Sequence, residues 1–282
     1  MNDYLFIDNI EKLKTNKTLS KDNIEHIKKL KIPPNWKNVK ISQDYSAKIQ
    51  AIGEDNKGRK QYIYHPLWVI FSKQIKYSKI NSINFDKFNK IINKLSKNLN
   101  NYSKDYIISN MFLIMRDLNI RVGNEKYLEE NDSVGLCTLE KSHYKKEKKN
   151  DKIIHKFVFK GKKGVLHEKK LNENHIKFIE NIIKIPGNEL FKYYDTNNNT
   201  YKKIIADDLN IFLKENIDTN MTTKDIRTYS ANKIFQEEYN RLLKNGLNKN
   251  KSRIEAIKLT AIELGNTAKV CRDSYIDPSL YE

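Results

Sequence analysis

"HKFVFKGKKGVLHEKKL", residues 155–171, alternates apolar and polar side chains on either side of a Gly-Lys-Lys-Gly turn. A period of two belongs to half-buried strands, and a glycine-framed turn between two such runs makes a β-hairpin with lysines at its tip. The surrounding stretches follow a different rule. "ENHIKFIENIIK", "ADDLNIFLKE", "TTKDIRTYSANKIFQEEYNRLL" and "SRIEAIKLTAIELG" read as helices. The third is opened by a Thr222–Asp225 capping pattern and the last is closed by Gly265. "DYIISNMFLIMRDL" is apolar over most of its surface, as a buried helix is. "SVGLCTL" reads as a strand-like break, and "KKEKKNDK" as a charged run. The hairpin therefore sits inside a mostly helical domain. Nearer the N-terminus, "IPPNW", "AIGEDNKGRKQYIYHPLW" and the short alternation in "KQYIYHP" read as strands joined by Gly and Pro turns. The polar, lysine-rich "SKQIKYSKINSIN", about residues 73–84, reads as a linker. The expectation is an α+β protein: a small β-rich domain over residues 1–75, then a mainly α domain with a small β-sheet over residues 76–282.

The chain has 282 residues and a formal charge of +18, from 53 basic against 35 acidic side chains. Such an excess points to a polyanion, nucleic acid or an anionic membrane, while a coding bias toward Lys, Asn and Ile produces the same numbers without one. Only seven of the basic residues are arginine: Arg59, Arg116, Arg121, Arg227, Arg241, Arg253 and Arg272. Where charge alone is needed the chain uses lysine, so the rare planar forks that grip two phosphate oxygens are the informative ones. Cys137 and Cys271 have neither CxxC nor Cys/His spacing, which predicts no zinc site and no disulfide framework. No apolar run approaches a membrane span, the N-terminal order of charge and apolarity is wrong for a signal peptide, and no GxxxxGK[ST] is present. These features predict a soluble intracellular protein with no cofactor, no bound metal and no use of ATP.

Four positions carry chemistry only as a set. Arg121 in "IRVGNEKYLEEN", Lys162 in the hairpin turn, Arg227 in "KDIRTYSAN" and Tyr275 in "VCRDSYIDP" each have an ordinary explanation alone: a surface ion pair, a solvated turn, a packing ring. Together they supply displacement at a phosphodiester. Two guanidiniums hold the nonbridging oxygens and take up transition-state charge. A phenol among cations is a suitable nucleophile. The departing 5′-oxygen needs a proton from a positioned acid, which a lysine at a hairpin tip can reach to give.

"RVGNEKYLEENDSVGLCTL", "FKGKKGVLHE", "PGNELFKYYD", "KDIRTYSAN" and "LGNTAKVCRDSYIDP" resemble, in order, the successive motifs of type IB DNA topoisomerases of the small viral and bacterial kind. "GRKQYIYHP" resembles the DNA-contacting segment of that family's N-terminal domain, and the likeness runs from about residue 33 to the C-terminus. The resemblance implies that Tyr275 forms a 3′-phosphotyrosyl link, that Lys162 is the general acid, and that Arg121 and Arg227 clamp the scissile phosphate. It also implies that the nicked duplex swivels and is resealed, and that the two domains clamp double-stranded DNA as a monomer. Asn266 stands where poxvirus members have a histidine; its amide can donate to a phosphate oxygen, and a helix C-cap role suits it equally. Gln61, Tyr62 and Tyr64 match DNA-touching residues of the family, with Arg59 nearby for phosphate, although strand alternation alone allows Tyr62 and Tyr64 a core face. Lys126, Tyr127 and Lys224 complete the implied DNA-binding set, and Asn124 replaces a base-contacting lysine of the poxvirus pattern. A tyrosine recombinase is the nearest rival, disfavoured by Lys224 where those proteins carry histidine. A noncatalytic DNA-binding protein of the same fold is the other. Lysine and asparagine richness fits a large DNA virus as source, with action in the virion or at the host-cell replication site.

Overall fold

A computed structural model describes residues 4–7, 21–97 and 102–281. The chain divides into two compact units, residues 1–79 and 80–282.

In the first unit an antiparallel sheet runs in the order β1 (Tyr4–Ile7), β2 (Lys37–Ser42), β3 (Ile49–Glu54), β4 (Lys60–Tyr64). Helix α1 (Lys21–Leu30) joins the first two strands in sequence. Ile27 and Ile32 bury with Val39, Ile41 and Ala51, and Trp36 and Ile63 pack against them. β4 is an edge strand, and its alternation resolves the two faces. Ile63 faces the core while Tyr62 and Tyr64 are exposed and stack at 6.1 Å between centroids. Gln61, odd-numbered like Ile63, belongs to the opposite face from the two tyrosines.

Pro66 starts α2 (Pro66–Ser82), a position where proline's fixed φ and missing N–H suit the first turn. Residues 73–82, expected as a linker, are the second half of this helix. Lysine is a good helix former and the stretch has no Pro or Gly to stop it, so polarity alone misled.

In the second unit α3 (Phe85–Leu95) and α4 (Lys104–Leu118) come first, then the short α5 (Glu125–Asn131). α4 is the central helix, with Ile107, Ile108, Met111, Phe112, Ile114 and Met115 all buried. Around it pack Phe88 of α3, Phe178 and Ile179 of α6 (Glu173–Ile182), and Leu209 and Phe212 of α7 (Ala206–Asn216). Burying side chains of this size contributes about 1.5–3 kcal/mol each. The chain's many asparagines are put to use as N-caps: Asn84, Asn124, Asn172 and Asn248 each accept a backbone N–H of the helix they begin.

The sheet of this unit is a meander of β5 (Tyr144–Lys149), β6 (Lys152–Lys160) and β7 (Leu166–Lys170). The "KKEKKNDK" run is therefore strand and turn. Its charges face solvent, and Asn150 and Asp151 turn the chain with φ of 47° and 58°, values those residues tolerate. "SVGLCTL" is not a strand. Residues 136–138 form one 3-10 turn, closed by Thr138 Oγ1 donating to the Gly135 carbonyl. A second hairpin, β8 (Lys192–Asp195) and β9 (Thr200–Lys203), contains the last four residues of the "PGNELFKYYD" motif.

The C-terminal helices α8 (Thr223–Lys244), α9 (Lys249–Leu264) and α10 (Ala268–Ser274) form a separate core. Phe235, Tyr239, Ala256, Ile257 and Ala261 bury there with Cys271 and Ile276. Asp225 Oδ2 accepts both the N–H and the hydroxyl of Thr222 at 2.8 Å, which fixes the entry of α8.

Candidate active site

Arg121 follows α4 in extended chain. Its carbonyl accepts the Leu136 N–H at 2.8 Å and that of Val122 accepts Cys137 at 2.7 Å. This pairing is possible because Gly135 lies directly on Gly123, where a side-chain carbon on either would collide with the other's backbone. The half-buried Arg121 side chain then donates from Nη2 to Asn266 Oδ1.

Arg227, one turn into α8, is 5% exposed. Its Nη1 donates to the carbonyl of Asn119 and its Nη2 to that of Leu264. These are end carbonyls of α4 and α9, so the cation sits where two helix C-termini converge, each with unpaired acceptors and partial negative charge. Burial, then repulsion from Arg121, lowers the Arg227 pKa to about 10, with Tyr275 acting in the opposite direction. The group stays charged at neutral pH. Its Cζ lies 5.5 Å from the centre of the Tyr275 ring.

Tyr275 caps the C-terminus of α10, half-buried, between two anchors in the C-terminal core, Cys271 and Ile276, both fully buried. Asn232 of α8 accepts the Asp277 N–H at 2.8 Å and pins the chain just beyond. The last residue of "KDIRTYSAN" therefore orients the tyrosine segment, a task its spacing from Arg227 alone did not reveal. Burial pushes the Cys271 thiol up to about 11, so this neighbour of Tyr275 stays protonated.

Lys162 is exposed on the turn between β6 and β7, where Gly164 N–H returns to the Gly161 carbonyl at 3.0 Å. It lines, with Arg121 and His167, a cleft of about 10 Å³, barely the size of one water. The helix stop at Gly265 is a left-handed cap with φ of 59°, so Asn266 is not itself the cap and its side chain is free to meet Arg121. Arg121, Arg227, Asn266, Tyr275 and Lys162 thus belong to one neighbourhood.

Charge balance sets this site apart from most of the other arginines, Arg253 being held over the Tyr281 ring at 5.3 Å. Arg59, Arg116, Arg241 and Arg272 each pair with a carboxylate. Among the described residues Arg121 and Arg227 have no such pairing, and Arg227 Nε and Asn266 Nδ2 are buried donors without a partner. Buried donors are almost always satisfied, so two in one site beside two uncompensated cations mark a place built for an anion.

His167 was missed by sequence reasoning. It is 9% exposed on β7, opposite Phe159 of β6, with rings stacked at 5.1 Å. Counting outward from the turn would have placed it on the face of Phe159. Burial, then Lys169, Arg121 and Arg227, lower its pKa to about 4 from the usual 6.5. Its neutral form is the folded form, so stability is full above pH 6.5 and declines as pH falls toward 4, while the unfolded chain takes up the proton. Relative to a His167→Phe variant, the protein should lose about 3 kcal/mol more across that window, read from melting temperatures against pH. A second test is Gly265→Ala. Its new carbon would collide with His167 Cε1 and occupy left-handed backbone, costing at least about 1–2 kcal/mol in denaturant titration.

The remaining expected residues are dispersed. Arg59 Nε and Gln61 Nε2 both donate to Asp55 Oδ2, at 2.8 and 3.1 Å, in the turn before β4. Lys126 and Tyr127 project from α5, the tyrosine 59% exposed, and Lys224 is exposed on the first turn of α8. Asn124 caps α5 by accepting the Lys126 N–H at 2.8 Å.

A phenol held against a buried guanidinium, beside a second guanidinium and a cleft-lining lysine, has the groups that displacement at a phosphodiester requires. Residues 56–276 match the family model described as "Eukaryotic DNA topoisomerase I, catalytic core", and residues 13–55 match "Bacterial DNA topoisomerase IB, N-terminal domain". The chain is 37% identical to "DNA topoisomerase 1B" of Acanthamoeba polyphaga mimivirus, over 97% of its own length and 81% of that protein. It is 28% identical to "DNA topoisomerase 1" of Rabbit fibroma virus (92% and 80% covered) and 27% identical to "DNA topoisomerase 1B" of Vaccinia virus (92% and 81%). The chain belongs to the type IB DNA topoisomerase family.

Proposed function

We propose that this type IB topoisomerase relaxes supercoiled duplex DNA with Tyr275 as nucleophile. The Tyr275 oxygen forms a bond to the scissile phosphorus and the bond from phosphorus to the 5′-oxygen breaks. The phenol proton leaves to water, and the Lys162 ammonium gives a proton to the departing oxygen. Arg121, Arg227 and the Asn266 amide donate to the nonbridging oxygens. The nicked strand swivels, and the 5′-hydroxyl then attacks the 3′-phosphotyrosyl ester to restore the original bond. One ester replaces another, so the cycle needs neither ATP nor a metal ion. Residues 1–75 clamp the duplex through Arg59, Gln61, Tyr62 and Tyr64, while Lys126, Tyr127 and Lys224 touch it from residues 76–282, and the chain acts as a monomer.

The observation that supports these roles best is the buried, carboxylate-free Arg227 lying against Tyr275. Incubation with supercoiled plasmid in chelator without ATP, followed by denaturation, tests them. The expected products are relaxed topoisomers and a protein-linked 3′ end mapping to Tyr275. Linkage at another residue, or at a 5′ end, would overturn the assignment.

A further inference from the structure

Lys162 and Asn266 are each preceded by a glycine, and one imidazole touches both glycines. A side-chain carbon on Gly161 would come within 2.6 Å of His167 Cδ2 and Nε2, and one on Gly265 would collide with Cε1 of the same ring. The separation between the hairpin turn and the wall carrying Asn266 is therefore the width of the His167 ring. Tyr275 lies nine residues further on that wall. A second fastening follows the same seam, where Lys169 of β7 donates to the Glu263 carbonyl near the end of α9 at 2.8 Å. Phe159 backs the ring from the hairpin side. Neither ring nitrogen has a hydrogen-bond partner among the described residues, so the contact works by shape. Lys162 itself is exposed and makes no side-chain hydrogen bond or ion pair among the described residues. The backbone before it is tied by the Val134 N–H, which donates to the Lys160 carbonyl at 2.8 Å.

We propose that His167 is a positioning residue, a spacer between Gly161 and Gly265 that sets the reach of the Lys162 ammonium to the leaving oxygen. The inference rests on the acid role given to Lys162 above. Removing the ring lets the two walls close or slide, and the proton donor moves while the phosphate clamp and the nucleophile stay.

Single-turnover cleavage of duplexes carrying either oxygen or sulfur as the 5′-bridging atom of the scissile phosphate isolates this effect. With sulfur, the Tyr275 oxygen–phosphorus bond forms, the phosphorus–sulfur bond breaks, and sulfur leaves with the electron pair as a thiolate, which needs no proton. His167→Ala should slow cleavage of the oxygen substrate about 100-fold, the scale of a catalytic group displaced by an ångström, yet cleave the sulfur substrate within about threefold of wild type. His167→Phe, which keeps the ring, should stay within about tenfold on both. Equal slowing of His167→Ala on both substrates, or no slowing on oxygen, overturns the proposal, and recovery on sulfur also certifies that the variant is folded. Lys162→Ala is measured alongside. If sulfur rescues Lys162→Ala but not His167→Ala, only the spacer role falls; if sulfur fails to rescue Lys162→Ala, the acid role falls and the spacer role with it.

Discussion

Tyr275→Phe should abolish the covalent protein–DNA link and lower the relaxation rate by at least about 10⁴-fold, as removal of a nucleophile does elsewhere. Melting temperature and DNA affinity should stay close to wild type. The substitution deletes one oxygen, and with it the hydroxyl's interaction with Arg227, but leaves the anchors of the segment in place. Cys271 and Ile276 remain buried on either side, Asn232 still accepts the Asp277 N–H, and the ring keeps its place 5.5 Å from the Arg227 Cζ. Loss of relaxation with intact binding therefore reports chemistry. The chain has 16 tyrosines, and a variant that still forms a denaturation-resistant adduct would place the nucleophile on another of them.

Much of the architecture is legible because it is local. The alternation around Gly161–Gly164, the Thr222–Asp225 box and the stop at Gly265 are each set by a few adjacent residues, and the α+β class follows from them. Misreadings arose where one local signal stood for two structures. Lysine runs occur in linkers, exposed strands and helices alike, so residues 73–82 could be sorted only by what they pack on. "SVGLCTL" alternates like a strand, but the approach of Gly135 to Gly123 bends it into a turn.

The candidate site was visible as residue types and invisible as mechanics. Nothing in "KDIRTYSAN" announces that the Arg227 guanidinium is held by two carbonyls from other helices, since carbonyls carry no sequence signature. His167 was hidden for a similar reason. A single histidine among lysines looks like decoration until Gly161 and Gly265, remote in sequence, are seen to share its ring.

The same mechanics make Arg227→Lys a severe change despite conserved charge. The guanidinium spans the Asn119 and Leu264 carbonyls with two nitrogens and leaves Nε, without a partner in this structure, as a further donor. An ammonium is a point charge on a flexible stem and cannot reproduce that fork. Placed between the ends of α4 and α9 it must choose one carbonyl, leaving the other acceptor buried and unpaired, at a cost of about 1–3 kcal/mol in folding stability. It also meets the same burial and the same repulsion from Arg121 that already lower the arginine to about 10, and lysine starts from a lower ordinary value. Part of the population is then neutral when a phosphate arrives. Cleavage should fall about 10²–10³-fold, the scale for removing one preorganised donor from an anion site, with a smaller loss in DNA affinity because the other proposed contacts do not involve Arg227. Arg121→Lys provides the contrast. Arg121 is half-buried and among the described residues its side chain hydrogen-bonds only to Asn266, so the same exchange should slow cleavage with little change in melting temperature. Single-turnover cleavage and thermal melting of the two variants measure the difference, and wild-type cleavage by Arg227→Lys would show that the fork between the two helix ends serves the fold alone.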